Sequence, residues 1–186
     1  LADGELLDRL LGARQFDAVM HFASFIQVRE SVRDPAAYYR NNLITTLNLL
    51  DAMIAHQVHH FVFSSTAAIF GEPERTPIDE RHRAAPINPY GQSKWMVEQI
   101  LSDYEQAYGL QSVCLRYFNA AGANAAAGLG ERHAPETHLT PSLLQAAAGP
   151  PSATSVFVSD YVPASGPPRL TSAPASDLPS PPLPRG

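Results

Sequence analysis

HHFVFS, His59–Ser64, is a run of strand-forming residues set between two helical patterns. Aromatic and β-branched side chains suit a pleated, half-buried surface, so the run reads as a strand. It leads into Ser65 and Thr66, then a loop holding Pro73, Pro77, Pro86 and Pro89. Pro89–Tyr108 reads as a long helix that opens on a proline and closes at Gly109. SVCLRY, Ser112–Tyr117, reads as the next strand. Upstream, FDAVMHF, Phe16–Phe22, is a short apolar strand. Asp34–Gln57 starts with Asp-Pro and sets Leu43, Leu47, Leu50 and Ile54 at helical spacing. Gly4–Gly12 has the pattern of an amphipathic helix, and Pro141–Ala148 that of another ending at Gly149. Strands alternating with helices of this length predict an α/β fold with a parallel sheet covered on both faces. In such sheets ligands lie beyond the carboxyl ends of the strands. There the chain places HFAS after the first strand, SST after the second and Phe118-Asn119 after the third.

Composition divides the chain in two. Residues 1–149 carry the strand and helix patterns. Residues 150–186 hold ten of the seventeen prolines, with much Ser and Ala, and read as a disordered or frame-shifted tail that buries too little apolar surface to offset its ordering entropy. The net charge of −5 argues against nucleic acid as the main partner. Cys114 is the only cysteine, so no internal disulfide forms and a reducing cytoplasm is expected. No apolar run approaches the roughly 18 residues that cross a membrane, and no signal peptide is expected. His56, His59 and His60 cluster, but without the carboxylate or thiolate company that a metal site uses, so no metal is expected. His21, at the end of a buried strand, is expected to bond backbone, and Trp95 to pack on its helix.

NPYGQSK, Asn88–Lys94, sets a tyrosine and a lysine four apart. On a helix these share a face. A tyrosine with a pKa near 10 is a poor base at neutral pH, and a neighbouring ammonium stabilises its phenolate. Tyr90 and Lys94 therefore form a candidate proton-transfer pair. Taken alone, Y-x-x-x-K more often marks a surface lysine and a half-buried tyrosine. The hydroxyls of Ser64, Ser65 and Thr66 change that balance, because one of them can bond the oxygen that Tyr90 deprotonates.

The ordered motifs HFASFIQVRESVRDPAAYYRNN, FVFSSTAAIFGEPERTPIDE, NPYGQSKWMVEQIL, LRYFNAAGA and PETHLTPSLLQAA resemble the extended short-chain dehydrogenase/reductase superfamily. Within it they look like the UDP-glucose 4-epimerase family. The resemblance covers about residues 1–149 and implies a partial, doubly wound Rossmann-like sheet. It implies that Tyr90 is the proton acceptor, that Lys94 tunes it and bonds the nicotinamide ribose, and that Thr66 bonds the sugar hydroxyl. Phe22, Ala23, Ser24, Asn42, Ser64, Tyr117 and Phe118 match cofactor-lining positions. Asn119 and His138 match UDP-sugar contacts. The implied chemistry is redox without net oxidation: Tyr90 takes the proton of the sugar 4-hydroxyl, while tightly held NAD accepts the C4 hydride and returns it to the other face. The family also implies a homodimer paired through the helices at Asp34–Gln57 and Pro89–Tyr108.

Several features depart from that pattern. No G-x-G-x-x-G occurs; Gly122, Gly128 and Gly130 fall late and are spaced otherwise, so the first βαβ part is expected to be missing. Val156–Tyr161 echoes a VFG-x-DY segment, but proline-rich sequence then replaces the remaining sugar-nucleotide residues. The chain reads as truncated or frame-shifted, and by itself as weakly folded and inactive, with a long sheet edge exposed. A dehydratase of the same superfamily needs an acid and a base beside the threonine, whereas Thr66 is followed by Ala67 and Ala68. Three readings stay open: an epimerase of UDP-glucose, an enzyme for another sugar nucleotide, or a remnant without catalysis.

Overall fold

In the computed structural model the run around Phe61 forms the middle strand of a three-stranded sheet. The structure describes residues 1–79, 81–120, 122–130, 144 and 148. They fall into two units, Leu1–Phe118 and a second that begins at Asn119.

In the first unit β2 (His60–Thr66) lies between β1 (Val19–His21) and β3 (Gln111–Tyr117), and both pairings are parallel. Helix α1 (Gly4–Gly12) precedes β1, capped by Asp3, whose carboxylate accepts from Leu6 N at 2.9 Å. The β1–β2 crossover holds α2 (Val28–Arg33), α3 (Pro35–Tyr38), a π-helical turn over Tyr39–Ile44 and α4 (Thr45–Ala55). The β2–β3 crossover holds a 3₁₀ turn, Ala67–Phe70, and α5 (Pro89–Tyr108).

Register sorts the side chains. Val19, Phe61 and Ser112 form one cross-strand row, and His21, Phe63 and Cys114 another, on the same face. Phe61 and Phe63 are fully buried against Leu49, Leu50 and Met53 of α4 and Val97 and Leu101 of α5, with Leu7 and Leu11 of α1 completing the core. Burying such a side chain contributes about 1.5–3 kcal/mol. The row between them, Met20, Val62 and Val113, points the other way, and Met20 is 62 % and Val113 56 % exposed. Coverage on both faces is thus met on one face among the described residues.

The expected helix over Asp34–Gln57 is instead a succession of pieces. Asp34 caps α3 through Ala37 N at 3.0 Å, the π turn follows, and α4 stops at Ala55, with Gln57 in the left-handed region at φ 59°. Helix α2 is additional. Its six residues set only Val28 and Val32 at helical spacing, too little to mark a helix, and Tyr38 anchors it by accepting from Gln27 N and bonding Glu30. The strand expected over Phe16–Phe22 narrows to Val19–His21. Helix α5 keeps both expected ends: Asn88 Oδ1 accepts from Gly91 N at 2.8 Å, and Gly109 at φ 72° terminates it.

In the second unit β4 (Ala123–Asn124) pairs antiparallel with β5 (Leu129–Gly130). The helix expected over Pro141–Ala148 lies outside the described residues, apart from Leu144 and Ala148. So do His138, the boundary after residue 149 and the Pro-rich tail. Among the described residues no helix is long and apolar enough to cross a membrane.

Candidate active site

Parallel register brings the carboxyl ends of β1, β2 and β3 to one edge of the sheet. His21 stands beside Phe63, and Thr66 beside Tyr117. Helix α5 supplies the other half of the site. It starts against the 3₁₀ turn, because a Cβ on Gly91 would come within 2.6 Å of the Ala68 carbonyl. Glycine at that position lets Tyr90, in the first turn, approach Thr66. Thr66 Oγ1 accepts from Ala68 N at 3.1 Å and lies close enough to the Tyr90 hydroxyl to affect its titration.

Lys94, one turn further, is 2 % exposed. Its ammonium donates to the Ser64 carbonyl at 2.8 Å and lies 4.7 Å above the Phe63 ring centroid. Burial lowers its pKa to about 8. The tyrosine goes the other way. Burial pushes the Tyr90 hydroxyl above its ordinary range, and the Thr66 hydroxyl opposes that rise. A lowering of the Tyr90 pKa by Lys94, expected from spacing, is therefore not what this structure shows: the Lys94 charge is engaged by Ser64 and Phe63.

His21 lies beneath this pair. Its ring stacks on Phe61 and Phe63, each centroid 5.9 Å away, and its Nε2 is 3.0 Å from Thr46 Oγ1. The Thr46 hydroxyl donates to the Asn42 carbonyl at 2.7 Å, which leaves its oxygen to accept from His21 Nε2–H. The partner of His21 is thus a side chain and not backbone. Burial, assisted by the Lys94 charge, lowers its pKa to about 4.

Asn42, in the π turn, is fully engaged. Its Oδ1 accepts from Phe25 N at 2.8 Å and Asn41 Nδ2 at 2.9 Å, and its Nδ2 donates to Phe25 O at 3.0 Å and Ser93 Oγ at 3.2 Å. That uses its whole amide capacity, so it ties the turn after β1 to α5. The turn itself, Phe22-Ala23-Ser24, is tight, with Ser24 N donating to Phe22 O at 3.1 Å. Phe22 and Ala23 are exposed, as are Tyr117 and Phe118 at the end of β3. Ser24 Oγ and Asn88 Nδ2 are buried without a protein partner. Such atoms cost about 1–3 kcal/mol each when unmatched, so they suit a ligand rich in hydroxyl and amide groups. Asn119 belongs to the second unit. Trp95 is half-buried on α5.

Two residues absent from the expected set complete this end of the sheet. Glu98 follows Lys94 by one helical turn, accepts from Ser65 Oγ at 2.5 Å, and pairs with Arg116 Nη2 at 2.6 Å. The i, i+4, i+8 spacing of Tyr90, Lys94 and Glu98 is visible in the sequence. The part played by Arg116 depends on register and is not. Among the described residues no group of His, Cys, Asp and Glu could hold a metal; His56 pairs with Asp8 at 2.8 Å and His60 Nδ1 bonds the Asp17 carbonyl at 3.0 Å.

Residues 1–159 match the family model described as GDP-mannose 4,6 dehydratase. The UDP-glucose 4-epimerase of Rhizobium meliloti (strain 1021) is 51% identical over 161 residues, covering 87% of this chain and 49% of that protein. The crystal structure of UDP-glucose 4-epimerase from Brucella ovis in complex with NAD superposes with a TM-score of 0.76 at 48% identity, covering 79% of this chain and 45% of that one. The enzyme from Bifidobacterium longum in complex with NAD+ and UDP superposes with a TM-score of 0.67 at 43% identity, covering 70% and 39%. The chain spans about half the length of the curated relatives it matches. A parallel sheet with Thr66, Tyr90 and Lys94 gathered at its carboxyl edge and a family match over residues 1–159 lead to one assignment: the chain belongs to the GDP-mannose 4,6 dehydratase family.

Proposed function

We propose that this chain carries the proton-transfer centre of a UDP-glucose 4-epimerase that works with NAD. The observation behind the reading is the convergence of Tyr90 and Thr66 at the carboxyl edge of the sheet, with Lys94 buried one turn away on the Ser64 carbonyl. Tyr90 takes the proton of the sugar 4-hydroxyl and returns it after the sugar has turned. Thr66 donates to the oxygen that carries the developing charge. The N-terminus of α5 favours the phenolate through its helix dipole. Bound NAD supplies a hydride acceptor and donor for the sugar C4. Ser24 and the exposed aromatic rings of Phe22, Tyr117 and Phe118 line its place, with Ala23 and the Ser64 carbonyl beside them. Lys94 turns from Ser64 to a ribose hydroxyl. The assignment of Asn119 and His138 to the UDP-sugar rests on the motif resemblance alone.

Dehydration is the runner-up because of the family description. It is disfavoured because the turn after Thr66 opens with Ala67 and Ala68, neither of which moves a proton. The 51% and 48% identical relatives are epimerases, which supports the same choice. We place the protein in the cytoplasm, as a homodimer joined through α4 and α5, with residues 1–149 as its cofactor domain and 150–186 as a tail.

The test uses the protein expressed from its own gene. It should convert UDP-galactose to UDP-glucose and retain NAD through gel filtration. Tyr90→Phe should lower kcat by roughly 10²–10⁴-fold, the usual weight of one acid–base group. Full activity in Tyr90→Phe would remove Tyr90 from the chemistry. Neither turnover nor retained NAD would leave the remnant reading.

A further inference from the structure

Three successive turns of α5 meet three consecutive residues of β2. Tyr90 faces Thr66, Lys94 bonds the Ser64 carbonyl and Glu98 bonds the Ser65 hydroxyl. The first two contacts lie where the proposed chemistry takes place. Tyr90 must exchange its hydrogen-bond partner when it moves a proton, and Lys94 has to divide its three donors between Ser64 and a ligand. Neither is a fixed tie of α5 to β2 while the reaction runs.

The third contact is of another kind. Ser65 and Arg116 are cross-strand partners in the β2–β3 ladder, so the Glu98 carboxylate grips two strands at one level. Arg116 meets it through both Nε, at 3.2 Å to each oxygen, and Nη2, at 2.6 Å, while its guanidinium lies 5.4 Å from the Phe70 ring centroid. Bidentate pairing of this sort adds geometric specificity to its attraction. Glu98 is 9 % exposed and Ser65 3 %. The next ladder pair along is Thr66 with Tyr117. The clamp therefore sits directly beneath the residues that meet Tyr90 and the proposed cofactor.

We infer that Glu98, through Ser65 and Arg116, is a positioning residue that keeps α5 in register on β2 and β3, so that Tyr90 stays opposite Thr66 while the other two contacts exchange. The inference rests on the reading of Tyr90 as the proton acceptor. Its pivot is Ser65, because Ser65→Ala cuts the link to β2 but leaves the Glu98–Arg116 ion pair in place.

The experiment labels the tyrosine ring carbon bearing the hydroxyl with ¹³C and follows Tyr90, assigned by its loss in Tyr90→Phe. It is run at neutral pH without cofactor or substrate. In Ser65→Ala and Glu98→Gln the Tyr90 resonance should move, because its ring shifts relative to Thr66, while Tyr104 and Tyr108 at the far end of α5 stay put. Ser65→Thr, which keeps the hydroxyl, should return it. In turnover, Ser65→Ala should lower kcat about ten-fold with KM for UDP-galactose unchanged, the mark of misplacement rather than lost binding. Should Glu98→Gln fail to fold around its unpaired arginine, Ser65→Ala decides alone. A Tyr90 resonance unmoved in folded Ser65→Ala overturns the positioning role and leaves the epimerase reading intact. Full activity of Tyr90→Phe overturns the epimerase reading, whatever the resonance does.

Discussion

The two faces of the three-stranded sheet are made by alternate residues of the same strands, yet they differ in almost everything. On the covered face Phe61 and Phe63 are fully buried, and even the polar residues are matched: His21 by Thr46, Ser65 by Glu98, Arg116 by Glu98. On the open face Met20 and Val113 are more than half exposed. The covered face also bears the site, since Phe63 is both a core side chain and the surface on which the Lys94 ammonium and the His21 ring rest. Phe63 thus serves the core and the candidate site at once, whereas the row of Met20, Val62 and Val113 makes no part of either.

Truncation is the hardest test of that contrast. Phe63→Ala removes a fully buried ring and should cost about 3–5 kcal/mol. It should also loosen Lys94, so urea unfolding and activity fall together. Val113→Ala should cost less than about 1 kcal/mol, because its side chain already meets water. Equal costs in urea titrations would mean that the open face is covered in solution.

A second expectation uses protons in place of truncation. The His21 pKa falls from 6.5 to about 4 on folding, so between those values the unfolded chain binds the extra proton. Stability is complete above about pH 6.5 and drains away as pH falls toward 4, by up to about 3 kcal/mol. Urea midpoints at pH 7 and pH 4.5 should separate more in the parent than in His21→Gln. An identical separation would show that His21 is not held neutral against Phe61 and Phe63.

Which parts of this were legible in the sequence follows from how local their causes are. Both ends of α5 were readable because Asn88, Pro89 and Gly109 act within one turn. Helical spacing and a hydroxyl triplet at a strand end suggested that Tyr90 meets one of Ser64, Ser65 and Thr66; the choice of Thr66 came from the family resemblance. The π turn was not, because it owes its place to Asn42 reaching Phe25 and Ser93, residues 17 and 51 positions away. Nor was the direction of Lys94, since the Ser64 carbonyl and the Phe63 ring become its partners only when α5 packs on β2. The open face was hidden as well: FVF in β2 is apolar at every position, and only register separates Val62 from Phe61 and Phe63.

Lys94 titrates in the same direction as His21, and its removal should have a smaller net effect. Its pKa falls from 10.5 to about 8 on folding, so the folded protein bears the cost of a buried charge below pH 8. Between about pH 8 and 10.5 the unfolded chain holds more protons, and the parent should gain stability as pH rises, by up to about 3 kcal/mol. Lys94→Met removes that charge but leaves the Ser64 carbonyl unmatched, an offset of about 1–3 kcal/mol. The net at pH 7 should be a gain on the order of 1 kcal/mol, with turnover lost. A stabilised but inactive variant would mark Lys94 as retained for chemistry at a cost in stability. A destabilised one would make it a structural lysine, and the covered face a core like any other.

The smallest effect is the sharpest test of the open face. Val113→Thr exchanges a methyl for a hydroxyl without changing shape. At a buried position the hydroxyl would have to find a partner or cost about 1–3 kcal/mol. At position 113 water supplies that partner, and threonine suits a strand as well as valine does. The unfolding midpoint should therefore stay within about 0.5 kcal/mol of the parent. Met20→Thr, in the same cross-strand row on β1, should behave likewise. If either costs as much as a core substitution, that row is packed against something in solution. The exposed apolar surface would then be half of an interface, and the two faces would differ only in when they are covered.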